Sequence, residues 1–226
     1  MISLPASLAH QIEPLTRHYG SPLSIIADLS RRDFEPLNKT DRIGEVCMVI
    51  RRPDGRLITA IKTTSPLDAY RIPTGGIKPD EDIESALLRE TFEETSLDVT
   101  IRRFLAVIQY RLTPLYGNTS DWTFYTFVFL LDEIGGHLHP SDPSEKIADY
   151  RMVWPTELLN VAETLYQSTS GEDPTFTYPA NSWGAFRSIV HQVIYHLLTD
   201  TVAALTDSNL SITTISPSDN QGGTSP

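Results

Sequence analysis

Cysteine is nearly absent from this chain. Cys47 is the only one in 226 residues, so no internal disulfide can staple the fold, which fits a reducing compartment. Long apolar runs are missing too: nothing approaches the ~18 to 20 residues that a membrane span needs. Positive charge is scarce, with 18 Lys and Arg against 29 Asp and Glu, a net charge of −11 and a pI near 4.9. A surface of that sign repels phosphate backbones, so nucleic acid is not expected as a bulk partner; a small phosphorylated ligand held through a metal remains open. The opening "MISLPASLAHQIEPL" lacks a cationic start followed by an apolar run, so no secretory leader is expected. These absences together lead to the expectation of a cytoplasmic protein with no membrane attachment. What is present, 40% hydrophobic and 21% charged residues, is ordinary globular composition with length for one sizeable core plus appendages.

Residues 1–40 lean towards helix. "SLAHQIEPLTRHY" and "SPLSIIADLSRR" each place Ser before an apolar-spaced run, with Ser21-Pro22 as a helix start, and predict a helical N-terminal extension. "GEVCMVIRRPDGRLITAIK" (44–62) reads as a β-hairpin around Pro53-Asp54-Gly55. "YRIPTGG" (70–76) is a short strand entering a Gly loop, and 81–95 a helix. Residues 97–112 and 121–131 carry strand composition, "DEIGGHL" marks a turn into an edge strand, and 148–154 is another short strand. A helix starting at Pro155 runs over 155–165, and 171–181 is a loop. In "SWGAFRSIVHQVIYHLL" (182–198), Phe186, Ile189, Val190, Val193, Ile194 and Leu197 recur at helical spacing, which suits a helix packed on the core or on a second subunit, so a homodimer is one expectation. His191 and His196 are five apart and face different ways, so no metal pair is expected there. The main domain then covers 41–205, and the polar, turn-rich 206–226 is expected to be disordered.

The helix over 81–95 carries the chemistry. At about 100° per residue, Ile83, Leu87, Glu90 and Glu94 share one stripe, with Glu93 beside it near Ala86. A core-facing stripe therefore turns acidic halfway along. Burying those carboxylates is costly. Glu90 with Glu93 and Glu94 forms like-charge i,i+3 and i,i+4 pairs, and the cluster sits at the helix end that disfavours anions. A divalent cation relieves all three penalties, since hard cations prefer clustered carboxylate oxygens. Arg89 is the lone cation of this helix and can pair with Glu93 or reach back to Glu81. Ahead of the helix, Gly75 and Gly76 in "PTGGIKPDE" let the backbone turn tightly or approach a ligand.

These residues resemble the Nudix hydrolase family, whose box reads G-x5-E-x7-R-E-U-x-E-E-x-G-U with U a bulky apolar residue. Gly75, Glu81, Arg89, Glu90, Glu93 and Glu94 match, and Leu97 closes the box. Six residue-specific matches at roughly 6–7% usage each arise by chance at about 10⁻⁵ for a chain of this length. Thr91 replaces the usual apolar residue and Ser96 the usual second Gly. The resemblance implies an α/β fold, an α/β/α sandwich with a mixed sheet, here with the N-terminal extension and the C-terminal helix added. It implies hydrolysis of a nucleoside diphosphate linked to another moiety, with Mg²⁺ or Mn²⁺ as cofactor and water attacking phosphorus. By the same likeness Glu90 and Glu94 are the foremost metal ligands, Glu93 the next and Glu81 an outer ligand or a partner of Arg89, while Arg89 orients the cluster. The general base is left open between Glu90 and a later acid such as Glu145 or Asp149.

The substrate is less legible. Gly75, Gly76, Arg71 and Tyr110 are candidate substrate contacts, and Arg51, Arg52 and Arg111 could also meet phosphates. Tyr110, Trp122 and Tyr125 could stack on a base or simply pack the sheet. Pro114 and Tyr116 lie near positions that mark subfamilies, without fitting any of them cleanly. A non-catalytic nucleotide sensor is the alternative function.

Overall fold

Period-2 alternation in β2 sorts its side chains onto two faces, and both faces are covered. The computed structural model describes residues 2, 4–30, 42, 44–113, 123–168, 182–207 and 210–214. α1 (Ala6–Tyr19) leads into β1 (Leu23–Ser30). β2 (Gly44–Arg51), β3 (Leu57–Lys62) and the short β4 (Thr74–Gly76) precede α2 (Ile83–Thr95). β5 (Leu97–Thr113), β6 (Thr123–Gly136), β7 (Ile147–Val153), α3 (Leu158–Gln167), α4 (Ser182–Leu198) and β8 (Leu210–Thr214) follow. One sheet runs β7-β3-β2-β6-β5-β1-β8, with β4 also on β2. β1 is parallel to β5 and β2 to β6, and the other pairs are antiparallel, so the sheet is mixed as expected.

Cys47 and Val49 of β2 face one core, with Leu158 of α3 and Phe186, Val190, Val193 and Ile194 of α4. Val46, Met48 and Ile50 face the other, with Leu8, Ile12 and Leu15 of α1 and Ile83, Ala86 and Leu87 of α2. Each such Ile or Leu, fully buried, contributes about 1.5–3 kcal/mol. Those contributions pin α2 by its first half and leave its acidic second half at the sheet's end. The apolar face of α4, offered above as a subunit contact, packs within the chain.

Four expectations need correction. "SPLSIIADLS" is not a helix but holds β1, whose Ile25, Ile26, Ala27 and Leu29 are all buried; an apolar run covered on both faces has no periodicity to separate strand from helix. Gly75 and Gly76 are not a loop but lie in β4, paired with Val46 and Glu45. Part of the expected tail, Leu210–Thr214, pairs antiparallel with β1. The residues after "DEIGG" hold no edge strand: β6 itself runs to Gly136. The expected loop 171–181, the sites Pro114, Tyr116 and Trp122, and the tail beyond 214 lie outside the described residues.

Candidate active site

Asp82 starts α2 by accepting a hydrogen bond from the Ser85 N–H at 2.8 Å, so Glu81 stands just before the helix and not in its first turn. Ser96 ends it in the left-handed conformation at φ 53°, the place where the missing Gly was anticipated. Its buried Oγ has no hydrogen-bond partner among the described residues. Thr91 is buried, and its hydroxyl donates back to the Leu87 carbonyl at 2.7 Å, so the helix itself satisfies it.

Arg89 is the hub. Its Nε and Nη2 donate to Glu81 Oε1 and Oε2 at 2.6 and 2.8 Å, a two-pronged pairing. Nη1 donates to Glu90 Oε1 at 2.8 Å and Glu93 Oε2 at 2.7 Å, and Nη2 reaches the Gly76 carbonyl at 3.0 Å. Both alternatives foreseen for Arg89 are therefore realised together. Glu81 also accepts from the Lys78 N–H. Both Glu81 oxygens are thus engaged by Arg89, the pairing that the partner reading of Glu81 anticipated. The Arg89 guanidinium holds its carboxyl below the usual range.

Glu90, Glu93 and Glu145 each turn a carboxylate oxygen to within 4.8 Å of the others. Glu94 lies beside them, 1% exposed at its side chain. Lys62 Nζ stands 2.9 Å from Glu94 Oε1, without the alignment of a hydrogen bond, and donates to Glu145 Oε2 at 2.8 Å. Burial pushes Glu94 up to about 7, and it also raises Glu90. Burial acts the same way on Glu145, but Lys62 outweighs it and holds that carboxyl below its ordinary value. Of the two later acids, Glu145 joins the cluster. Asp149 is elsewhere, exposed and accepting from the Tyr70 hydroxyl at 2.5 Å.

The cluster opens into a cleft of about 480 Å³, lined also by Arg42, Lys78, Arg71, Thr74, Trp183 and Arg187. Gly75 is needed here for space: a Cβ would lie 2.0 Å from Glu90 Cδ. At Gly76 a Cβ would lie 2.1 Å from an Arg42 guanidinium nitrogen. Arg71 lines the cleft as expected and donates to Thr74 Oγ1 at 2.7 Å. Tyr110 does not line it. Tyr110 is buried, its ring 4.8 Å from that of Phe186 in an edge contact, so a stacking role on a substrate base is corrected to a core role. Tyr125 is likewise buried in the other core. Arg51 and Arg111 pair with Asp132 and Asp28, and Arg52 with Glu133, outside the cleft.

Residue reading missed the cleft floor. Arg187 Nη1 donates to both oxygens of buried Glu45 at 3.0 Å and to Thr74 Oγ1 at 3.1 Å. His191, one turn on, accepts the Ile72 N–H at Nε2, 2.9 Å away, and contacts the Arg187 carbonyl through Nδ1 at 2.8 Å. Arg187 and His191 form an i,i+4 polar stripe on an otherwise apolar helix, and Glu45 interrupts an apolar strand; those were the available signals.

The NUDIX domain family model matches residues 41–171, more than half of the chain. The chain belongs to the NUDIX domain family. The matched NUDIX segment contains β2 to α3 and the whole carboxylate cluster, while α1, β1, α4 and β8 lie outside it. A protein named RNA pyrophosphohydrolase from Cereibacter sphaeroides is 28% identical over 104 residues, 40% of this chain and 64% of that protein. One of the same name from Dinoroseobacter shibae is 37% identical over 71 residues, 31% of this chain and 38% of that one. The chain thus spans less than two thirds of the curated relatives it matches. Among solved structures, the E. coli ORF135 protein matches with TM-score 0.46 and 20% identity, covering 75% of this chain and 96% of that one. No helix among the described residues is long and apolar enough to cross a membrane.

Proposed function

We propose that this NUDIX protein hydrolyses a phosphoanhydride bond in a nucleoside diphosphate linked to another moiety, with Mg²⁺ or Mn²⁺ as cofactor. The observation that carries the reading is the convergence of Glu90, Glu93 and Glu145, with buried Glu94 beside them, at the mouth of a cleft rich in Arg and Lys. Clustered carboxylate oxygens suit a hard divalent cation. So does Glu94, a carboxylate buried without an aligned hydrogen-bond donor among the described residues. Glu90, Glu93 and Glu94 would hold the ion. Its contribution is to neutralise charge on the phosphate oxygens.

The chain's own residues do the rest by positioning. Arg89 fixes Glu90 and Glu93 relative to each other and to the Gly76 backbone. Gly75 leaves the space in which Glu90 lies. Arg71 and Lys78 on the cleft wall bind phosphate oxygens. The acceptor of the proton from the attacking water is Glu90 or, of the two later acids, Glu145, which lies in the cluster. The curated relatives' name supports pyrophosphate hydrolysis as the reaction class. The net charge of −11 favours a small nucleotide over a long phosphate backbone. A single buried Cys47 is in keeping with a cytoplasmic site of action.

The test is a panel of nucleoside diphosphate derivatives, dinucleoside polyphosphates, nucleoside triphosphates and a short RNA with a 5′ pyrophosphate, each supplied with Mg²⁺ and with Mn²⁺. Wild type should turn over at least one small nucleotide, and the Glu90→Gln, Glu94→Gln double variant should lose orders of magnitude in rate while keeping its circular dichroism spectrum. Binding of a nucleotide with no turnover of any panel member would replace the enzyme by a sensor.

A further inference from the structure

Lys62 closes β3 and belongs to no part of the box. Its ammonium nitrogen lies 2.9 Å from Glu94 Oε1 and 2.8 Å from Glu145 Oε2, and its side chain is 23% exposed, on the cleft wall. The site brings together five carboxylates, of Glu81, Glu90, Glu93, Glu94 and Glu145, and two cations, Arg89 and Lys62. The two cations are held differently. Arg89 is fixed by a rigid fork that reaches three carboxylates and a backbone carbonyl. Lys62 has a point charge on a flexible four-carbon stem, so it can leave without dismantling the helix.

The carboxylates need a counter-charge whether or not a metal is bound, because like charges crowded at low exposure repel. Before a metal arrives, Lys62 supplies it for Glu94 and Glu145. A doubly charged ion among the same oxygens makes the ammonium surplus and repels it at short range. We propose that Lys62 is the site's resident counter-ion and that a divalent metal binds by displacing it, so metal entry and release of Lys62 from Glu94 and Glu145 are one event. Lys62 is a positioning residue that sets how tightly the metal is held. The inference rests on the metal-dependent reading above and adds a competitor to it.

The test needs no substrate. Metal-free wild type and Lys62→Met are titrated with Mn²⁺ alone at pH 8 by calorimetry, and each is melted with and without Mn²⁺. Removing the competitor should tighten Mn²⁺ binding about tenfold, lower the melting temperature of the metal-free protein and enlarge the upward shift that Mn²⁺ produces. A folded variant that binds Mn²⁺ no more tightly than wild type would overturn the proposal. In wild type, acylation of the Lys62 amine, followed by peptide mass spectrometry, should speed up severalfold when Mn²⁺ is added. An unchanged or slower rate would overturn it equally, without reliance on any variant. Wild type that fails to bind Mn²⁺ at millimolar concentration would remove the metal reading and this inference together, whereas normal binding with no gain in Lys62→Met removes the inference alone.

Discussion

At the residue scale, Arg89 and Ser96 show how the box works and where it departs from pattern. Arg89 ties Glu81, Glu90 and Glu93 together at low exposure. Removing one partner of such a group leaves carboxylates uncompensated. Its side chain is 20% exposed, which weakens the effect. Arg89→Ala should therefore cost about 2 kcal/mol in denaturant unfolding of the metal-free protein, and Arg89→Lys should recover only part, since an ammonium lacks the two-pronged fork. Ser96 sits at φ 53° with a buried hydroxyl that has no partner among the described residues. Ser96→Gly should stabilise by about 1 kcal/mol, seen as a higher denaturant midpoint at unchanged m. Both residues were readable beforehand, because the spacing of the box fixes their places on the helix. Lys62 was not: it is one more polar residue at a strand end until β3 and α2 are brought together.

At the element scale, α4 is joined to the site through β4. The ring of His191 accepts the Ile72 N–H just before β4, and the same helix carries Arg187 onto Glu45 and Thr74. The bond from Ile72 requires an unprotonated Nε2. Burial, with the nearby Arg71 and Arg187 charges, lowers His191 to about 4 from an ordinary 6.5. Between those values the unfolded chain takes up a proton that the folded chain refuses. This contribution to stability is complete above pH 6.5 and is lost as pH falls to about 4, on the order of 3 kcal/mol in all. Glu94 acts the opposite way in the metal-free protein: its folded value of about 7 lies above the unfolded one, so stability declines as pH rises from 4.5 to 7. Subtracting His191→Gln from wild type cancels Glu94. The stability difference should shrink as pH is lowered from 7 to 4 in urea unfolding, and a constant difference would show that His191 titrates alike in the folded and unfolded chain, contrary to this reading. Helices α2 and α4 were legible because a half-buried helix repeats its apolar stripe. β1 was misread because it is covered on both sides, and its pairing with β5 is a contact across some eighty residues that no local pattern encodes.

At the scale of the whole molecule, an acidic chain gathers cations into one cleft. Arg42, Lys62, Lys78, Arg71, Arg89 and Arg187 line it, a third of the 18 Lys and Arg in the sequence. On the proposed reading, the overall charge would disfavour long polyanions, while the cleft offers positive charge to a short phosphate chain. Composition alone could state the first half. The second half required the fold, since these six residues come from the segment before β2, from β3, from the approaches to β4 and α2, and from α2 and α4. The central claim is that the carboxylate cluster, loaded with a divalent metal, directs water onto a phosphoanhydride. It is tested most directly by ³¹P NMR of a turned-over nucleotide in half-enriched H₂¹⁸O. With Mg²⁺ or Mn²⁺ present, one phosphate product should show the isotope-shifted signal, and chelation of the metal should abolish the reaction. A bound nucleotide whose phosphoanhydride signals persist unchanged in the presence of either metal would contradict the account.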